Sequence, residues 1–374
     1  MSCEPALRVV HVDTERTWGG GQRQLHALAT GMQRRGHLAW VVARPDTLLA
    51  AALARDGVPV VPVNPAFEWD PVAAARLRAL LRRVRADVVH AHAGHALAVA
   101  ALAAAGTPVP LLAARRVALP PRRNPLSRWK YARPERFIAV SERVREVLCA
   151  NGVAPDRVSV VRSGVDLRCR RAPASPATLR SLGLVPGRPL VVMVSALVPP
   201  HKDPQTFLEA VAEARRMGHD LQALLIGDGP LAGAADRSCR RLGLDGVVRL
   251  TGFRPDAVEL LAAADVAVLS SRDEGLGTTL LDAMAAGVPV VATAAGGVIE
   301  IVRDGVDGLL VAVGDGPALG TAIGRVLRDP VLRSALSAAG RERVRQFSVD
   351  STVEGTLAVY RTLDGGRRRT GGGA

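Results

Sequence analysis

Residues 270–293 read Ser-Ser-Arg-Asp-Glu-Gly-Leu-Gly-Thr-Thr-Leu-Leu-Asp-Ala-Met-Ala-Ala-Gly-Val-Pro-Val-Val-Ala-Thr. A strand ends, a glycine-rich turn exposes Glu274, and a helix starts near Thr278 with free backbone N–H groups at its mouth. A carboxylate in the turn can accept hydrogen bonds from sugar hydroxyls. A second, Asp282, lies about one turn inside and can accept from ribose hydroxyls or serve only as a helix-capping acid. Between them the helix terminus can hold a diphosphate.

Three further segments follow a strand and carry groups that could do chemistry. Pro199-Pro200-His201-Lys202-Asp203 contains one of only two lysines among 49 basic residues. A lysine is a compact point charge suited to phosphate, and here it stands in a chain that otherwise uses arginine. Thr17-Trp18-Gly19-Gly20-Gly21-Gln22 places three glycines at a helix start, where an anion can approach bare N–H groups. It is not a G-x-G-x-x-G dinucleotide fingerprint, and a plain tight turn would use the same glycines. His90-Ala91-His92-Ala93-Gly94-His95 ends a strand with His90 and His92 on one side. No cysteine or carboxylate completes a zinc site at a metal-like spacing, so the expectation is no metal. A hydrogen-bonding role at the mouth of a cleft, or a satisfied half-buried histidine, fits better.

The elements that must position these groups are legible from period and composition. Apolar, β-branched runs at 7–12, 39–43, 58–63, 88–92, 109–113, 137–140 and 158–161 read as strands. Helix-length segments at 21–35, 47–56, 71–85 and 141–151 separate them. A second alternating series runs from 190 to 311, and the region 318–363 is helical. Two βαβ series imply two parallel sheets, each covered on both faces, with ligand sites at the carboxyl ends of the strands. The predicted organisation is a first domain over 1–166, a proline-containing linker over 167–188 and a second domain over 189–345. A C-terminal helix over 346–364 is expected to pack back on the first domain, ahead of a disordered low-complexity tail over 365–374.

With 48% hydrophobic residues the chain can bury a large core, yet only 11 of 374 residues are aromatic. Ala, Val and Leu must fill the interior, and base-stacking platforms for nucleic acid are not expected. The net charge of +14 is unevenly placed: residues 1–180 hold 28 Lys/Arg against 13 Asp/Glu, the remainder 21 against 22. A one-sign field in the first half suits an anionic partner, although arginines on a solvated surface would give the same count. Cys3, Cys149, Cys169 and Cys239 form no paired motif, which fits free thiols in a reducing compartment. No signal peptide is read at the start, and the alanine run 96–105 is too short to span a bilayer. Cytoplasmic residence is expected, with possible peripheral attachment to the inner face of the membrane.

Taken together these segments resemble the retaining glycosyltransferases of the GT-B superfamily, family 4. The resemblance rests on Glu274 and Asp282 in the family's E-x7-E region, the Ala-Met-Ala-Ala-Gly-Val-Pro-Val-Val-Ala-Thr run, Gly227-Asp228-Gly229-Pro230, Gly252-Phe253-Arg254, Ala264-Asp265-Val266 and Gly305-Val-Asp-Gly-Leu-Leu-Val. In the first half it rests on the glycine loop, the Asp-Val-Val-His-Ala-His strand, Ala139-Val140-Ser141-Glu142 and Ser163-Gly164-Val165-Asp166. It covers about residues 7 to 363. The implied fold is two Rossmann-like α/β domains facing each other across a cleft. The implied reaction is transfer of a sugar from a nucleotide-sugar with retention of configuration, without metal or other cofactor.

By this resemblance Lys202 meets the diphosphate, Glu274 the donor sugar and Asp282 the ribose. Backbone groups of Gly275, Leu276, Gly277, Thr278 and Thr279 meet phosphate and sugar, and Phe253 and Arg254 lie beside the base. His92 lines the reaction centre and Gly20 and Gly21 approach the donor phosphate. Two positions depart from the family. An arginine usually found early in the loop that carries the lysine is replaced in Ser195-Ala196-Leu197, so one diphosphate cation is missing unless His201, Arg272 or a first-domain arginine replaces it. Asp282 is one methylene shorter than the usual glutamate. The acceptor belongs to the first domain, where Arg115, Arg116, Arg122, Arg123, Arg128 and Lys130 accompany Trp129 and Tyr131. That mixture suits an anionic or lipid-linked glycan or an anionic membrane surface, and equally a solvated loop. A nucleotide-sugar epimerase and a non-catalytic nucleotide-sugar binder remain alternatives, and nucleic acid is not an expected partner.

Overall fold

The computed structural model describes residues 5–122, 124–168 and 172–368. The chain divides into two compact units, Met1–Gly164 with Val349–Ala374, and Val165–Ser348.

The first unit is built on a seven-stranded parallel sheet of β1 (Arg8–Val12), β2 (Leu38–Ala43), β3 (Val60–Pro62), β4 (Val88–Ala91), β5 (Leu111–Arg115), β6 (Arg136–Ala139) and β7 (Val158–Val160), in the order β3-β2-β1-β4-β5-β6-β7. The second has six parallel strands, β8 (Leu190–Val194), β9 (Gln222–Ile226), β10 (Val248–Gly252), β11 (Val266–Leu269), β12 (Val290–Thr293) and β13 (Leu309–Val311), ordered β10-β9-β8-β11-β12-β13. In each sheet the strand order reverses once, between β1 and β4 and between β8 and β11. Helices leaving either side of such a point splay apart and open a crevice at the carboxyl ends of the strands.

Central strands such as β4 and β11 are buried throughout, which is why β11 reads as an unbroken apolar run and β4 as one broken only by His90, rather than as alternating patterns. Aspartates followed by proline start several helices. Asp70, Asp203 and Asp329 each accept from backbone N–H groups of the first turn, and proline at the first position lacks the N–H that would need a partner; Asp315 caps likewise, with Gly316 first and Pro317 second. With few aromatics, close approach replaces bulk: a Cβ on Gly31 would stand 2.7 Å from Val353 Cγ2, so the Val353 side chain of the helix Val349–Arg368 seats directly on the backbone of the helix Gly20–Gln33. Arg35 fixes the same pair through Asp350 at 2.7 Å and Glu354 at 2.8 Å.

Several segments differ from their sequence reading. The alanine run forms the helix Gly94–Ala104, buried on nearly every side and so without an amphipathic period. The basic stretch read as a loop contains the helix Pro125–Ala132, started by Asn124, which accepts from Ser127 N at 2.7 Å. The predicted linker 167–188 is structured over its described part 172–188. It holds the helix Pro176–Ser181, and the buried Gln222 side chain ties Val185 and Arg188 to the start of β9. The last helix runs to Arg368, through the glycines assigned to a disordered tail; residues 369–374 lie outside the described residues. Cys149 and Cys239 are free thiols, whereas Cys3 and Cys169 also fall outside the described residues.

Candidate functional site

In the second unit the switch point between β8 and β11 carries the loop that holds Lys202 and the turn that holds Glu274. Their backbones meet in an antiparallel bridge between Lys202 and Ser271. Above it Lys202 Nζ forms an ion pair with Glu274 Oε2, which also accepts from Ser271 Oγ at 3.0 Å; both side chains of the pair are 14% exposed. His201 O accepts from Arg272 N at 2.8 Å, so the two loops are stitched side by side. The buried Asp203 caps the following helix through Thr206 and receives Arg272 Nε at 2.9 Å. Burial, with the Lys202 charge beside it, holds the His201 imidazole below its ordinary pKa.

Glycines let this turn sit where it does. Gly296, at φ +52°, lies so close that a Cβ would come within 2.4 Å of both Glu274 O and Asp273 Oδ1, while Gly297 N donates to Glu274 O at 2.8 Å. Gly277, at φ +90°, supplies the left-handed residue that turns the chain into the helix Thr278–Ala286. That helix starts with no acidic residue in its first turn and no side chain capping it, so its terminal N–H groups and positive dipole end are available to an anion. Asp282 is buried one turn further in. Phe253 is 48% exposed after β10, and Arg254 is held bidentate by Asp256 at 2.8 and 2.7 Å. The Ser195–Leu197 loop lies against Gly227-Asp-Gly; a Cβ on Gly227, at φ +140°, would stand 1.9 Å from Ser195 O. Ala196 is exposed on that loop.

In the first unit the β1/β4 switch point gathers histidines. His11 and His90 are register partners on neighbouring strands, and His92 follows β4. All three are buried, and one ring nitrogen from each lies within 4.8 Å of those of the other two. His11 Nδ1 meets His92 Nε2 at 2.9 Å, and His90 Nδ1 meets the buried Tyr360 hydroxyl of the C-terminal helix at 2.7 Å. Arg116 donates to His92 Nδ1 at 3.1 and 3.2 Å. A guanidinium can only donate, so His92 accepts at Nδ1, carries its proton at Nε2 and donates it to His11. Burial, followed by the neighbouring Arg116 charge, pushes the His11 pKa down to about 3, and burial first also holds His90 and His92 well below their ordinary value. The cluster is therefore neutral at physiological pH. It has the nitrogen count of a metal site, but a cation on His92 Nε2 would require the proton at Nδ1, where Arg116 already donates.

Beside the cluster the glycine loop opens the helix Gly20–Gln33. Gln22 ties it down, accepting from Gly19 N at 3.1 Å and donating to the buried Asp13 at 3.1 Å. Gly20 is exposed and Gly21 half-buried. The basic run divides. Arg122 and Arg128 face solvent. Lys130 does not: it is buried, with Nζ on Glu68 and on Gly94 O. Arg115 turns to the Tyr131 hydroxyl at 2.8 Å and to Leu119 O, and Arg116 turns inward to His92. Arg123 lies outside the described residues. His11, Asp13 and Tyr360 escaped the sequence reading; a histidine in the otherwise apolar run 7–12 was the one available signal for the first.

Two parallel-sheet, Rossmann-like units, each with polar groups converging at its switch point, define a protein of the GT-B class. The chain belongs to glycosyltransferase family 4: residues 18–168 match the description "Glycosyltransferase Family 4" and residues 188–329 match "Glycosyl transferases group 1". A D-inositol 3-phosphate glycosyltransferase of Nocardioides sp. is 32% identical over 74% of this chain and 67% of its own length. The same-named protein of Saccharomonospora viridis is 35% identical over 56% of this chain, which spans about half (51%) of that relative's length. Among solved structures, HepE of Anabaena in complex with UDP and glucose superposes with a TM-score of 0.83 at 23% identity, covering 96% of this chain and 99% of that one.

Proposed function

We propose that the protein transfers a sugar from a nucleotide-sugar to a glycan or lipid-linked acceptor with retention of configuration and without a metal ion, in cell-envelope or exopolysaccharide assembly. The observation that carries this is the Lys202–Glu274 pair over the open N-terminus of the helix Thr278–Ala286, at the switch point of the second sheet. Lys202 and the helix N–H groups are placed to stabilise negative charge on a departing diphosphate, work a divalent cation performs in other enzymes. Glu274 and Ser271 then hold sugar hydroxyls, Asp282 the ribose and the exposed Phe253 ring the base. Gly20 and Gly21 offer backbone donors to a phosphate. UDP in the HepE complex supports a uridine nucleotide as the first donor to try.

On the acceptor side, Trp69 and Trp129 lie with their rings 5.8 Å apart, Arg133 stands over Trp129 at 4.5 Å, and Phe67 and Leu126, two and three positions before them in sequence, are exposed. With Arg122 and Arg128 nearby in sequence, this mixture of rings and cations suits an anionic membrane surface that presents the acceptor. No described helix is long and apolar enough to cross a membrane. The proposed reaction is tested by NMR of the product formed from UDP-glucose. An axial C1–O bond kept from donor to product is expected. Interconversion of donors with no acceptor present would instead identify an epimerase, and inverted product would refute retention.

A further inference from the structure

His201 is a titratable group that the reaction outlined above leaves without a task. It directly precedes Lys202, and its carbonyl oxygen accepts from Arg272 N at 2.8 Å and from Asp273 N at 3.4 Å, so its backbone is pinned to the turn that carries Glu274. The ring is half-buried, and its Nδ1 is buried without a partner among the described residues. A buried N–H that lacks an acceptor costs more than a buried lone pair, so the neutral ring carries its proton at Nε2. The charged groups facing the ring are Lys202 on its own loop and Asp273 and Glu274 on the turn. Arg272, the remaining cation of that turn, is drawn aside by its Nε to the buried Asp203 at 2.9 Å.

Two of those charges balance each other. Lys202 Nζ is paired with Glu274 Oε2, and burial together with the Lys202 charge keeps the imidazole below its ordinary pKa. A nucleotide diphosphate upsets that balance. Its oxygens compete with Glu274 for the ammonium, the carboxylate turns to sugar hydroxyls that donate to it without neutralising it, and phosphate charge is added beside the loop. All of these changes favour the protonated imidazole, and His201 is the base facing them whose ordinary pKa lies near neutrality.

We propose that His201 is a proton-linked second cation of the donor site: neutral while Lys202 is paired with Glu274, it takes up a proton from solvent when a nucleotide diphosphate engages Lys202. The inference rests on the donor reading of the second unit and adds to it a positive charge that appears only with the ligand. Imidazole becomes imidazolium, and no bond other than the new N–H is made. Because the liganded protein binds more protons than the free one, donor affinity rises as pH falls.

The test uses the full chain and UDP-glucose, whose diphosphate diester does not itself titrate near neutral pH. Calorimetry in buffers of low and high ionisation enthalpy counts the protons taken up on binding. Wild-type protein should take up roughly half a proton or more at pH 6.5 and almost none at pH 8.5, with affinity about threefold higher at the lower pH. His201→Gln should still bind through Lys202 but lose both the uptake and the pH dependence. Histidine-ring NMR gives an independent reading: the signal absent from His201→Gln should titrate about one pH unit or more higher once UDP-glucose is added. Binding without proton uptake, or uptake undiminished in His201→Gln, would overturn the role of His201 and leave the donor reading standing. If UDP-, GDP- and ADP-glucose all fail to bind, the donor reading itself falls, and the proposal with it.

Discussion

Lys202→Ala is the most informative single perturbation. The variant keeps the backbone bridge to Ser271, which involves no side chain, so the two loops should remain stitched together. What it removes is the one lysine charge of the second unit, at a position 14% exposed. At an effective dielectric of about 20, a unit charge 4 Å from a phosphate oxygen is worth ~4 kcal/mol. Loss of one preformed contact to a leaving-group oxyanion typically costs about 10²–10³-fold in kcat, or ~2.7–4 kcal/mol. Both routes give the same range. Glu274 Oε2 would keep only the Ser271 hydroxyl of its two partners, so donor affinity should fall as well. Steady-state kinetics at saturating nucleotide-sugar, with Lys202→Arg in parallel, should show kcat reduced by about 10² or more in the alanine variant and partly restored by arginine. A folded Lys202→Ala protein that turns over within about threefold of wild type would refute a leaving-group role.

The buried histidines set an acid limit to stability. Their pKa values are lowered in the folded state, so between the unfolded value of 6.5 and the folded value, about 3 for His11, the unfolded chain binds more protons. Stability from this cluster is complete above pH 6.5 and is lost as pH falls below it, by up to ~1.4 kcal/mol per pH unit for each histidine. Thermal melts from pH 7.5 to 5 should show the melting temperature dropping from about pH 6.5, and His11→Gln should flatten the slope; a melting temperature independent of pH over that range would contradict the neutral cluster. At the proposed membrane face, vesicles containing anionic phosphatidylglycerol should sediment the protein and neutral phosphatidylcholine vesicles should not. Leu126→Ser with Arg128→Gln should abolish sedimentation, and binding indifferent to lipid charge and salt would remove the membrane from the account.

Much of this architecture is readable from residues because parallel strands buried on both faces leave continuous Val, Ala and Leu runs, and because glycine turns and Asp-Pro pairs mark where helices begin. Lys202 and Glu274 stand out for the same reason: each lies in a short loop just beyond such a run. What could not be read depends on which strands become neighbours and on which way a side chain turns. His11 joins His90 only because β1 lies beside β4. Tyr360 enters from a helix 270 positions away from its partner His90. Charge runs say nothing about direction, and so Lys130, Arg115 and Arg116, which turn inward, are indistinguishable in sequence from Arg122 and Arg128, which turn outward. The helix Pro125–Ala132 is too short, and too mixed in composition, to show a period.

Binding of a nucleotide-sugar by the second unit through Lys202, Glu274 and the opening of the helix Thr278–Ala286, as proposed, is open to a thermal-shift titration of wild-type and Lys202→Ala protein with UDP-, GDP- and ADP-sugars. A ligand at 100 times its Kd adds about 2.7 kcal/mol. The expected result is a clear upward shift with sugars of one base, reduced or absent in the variant; no shift with any of them, or the same shift in both proteins, would contradict it.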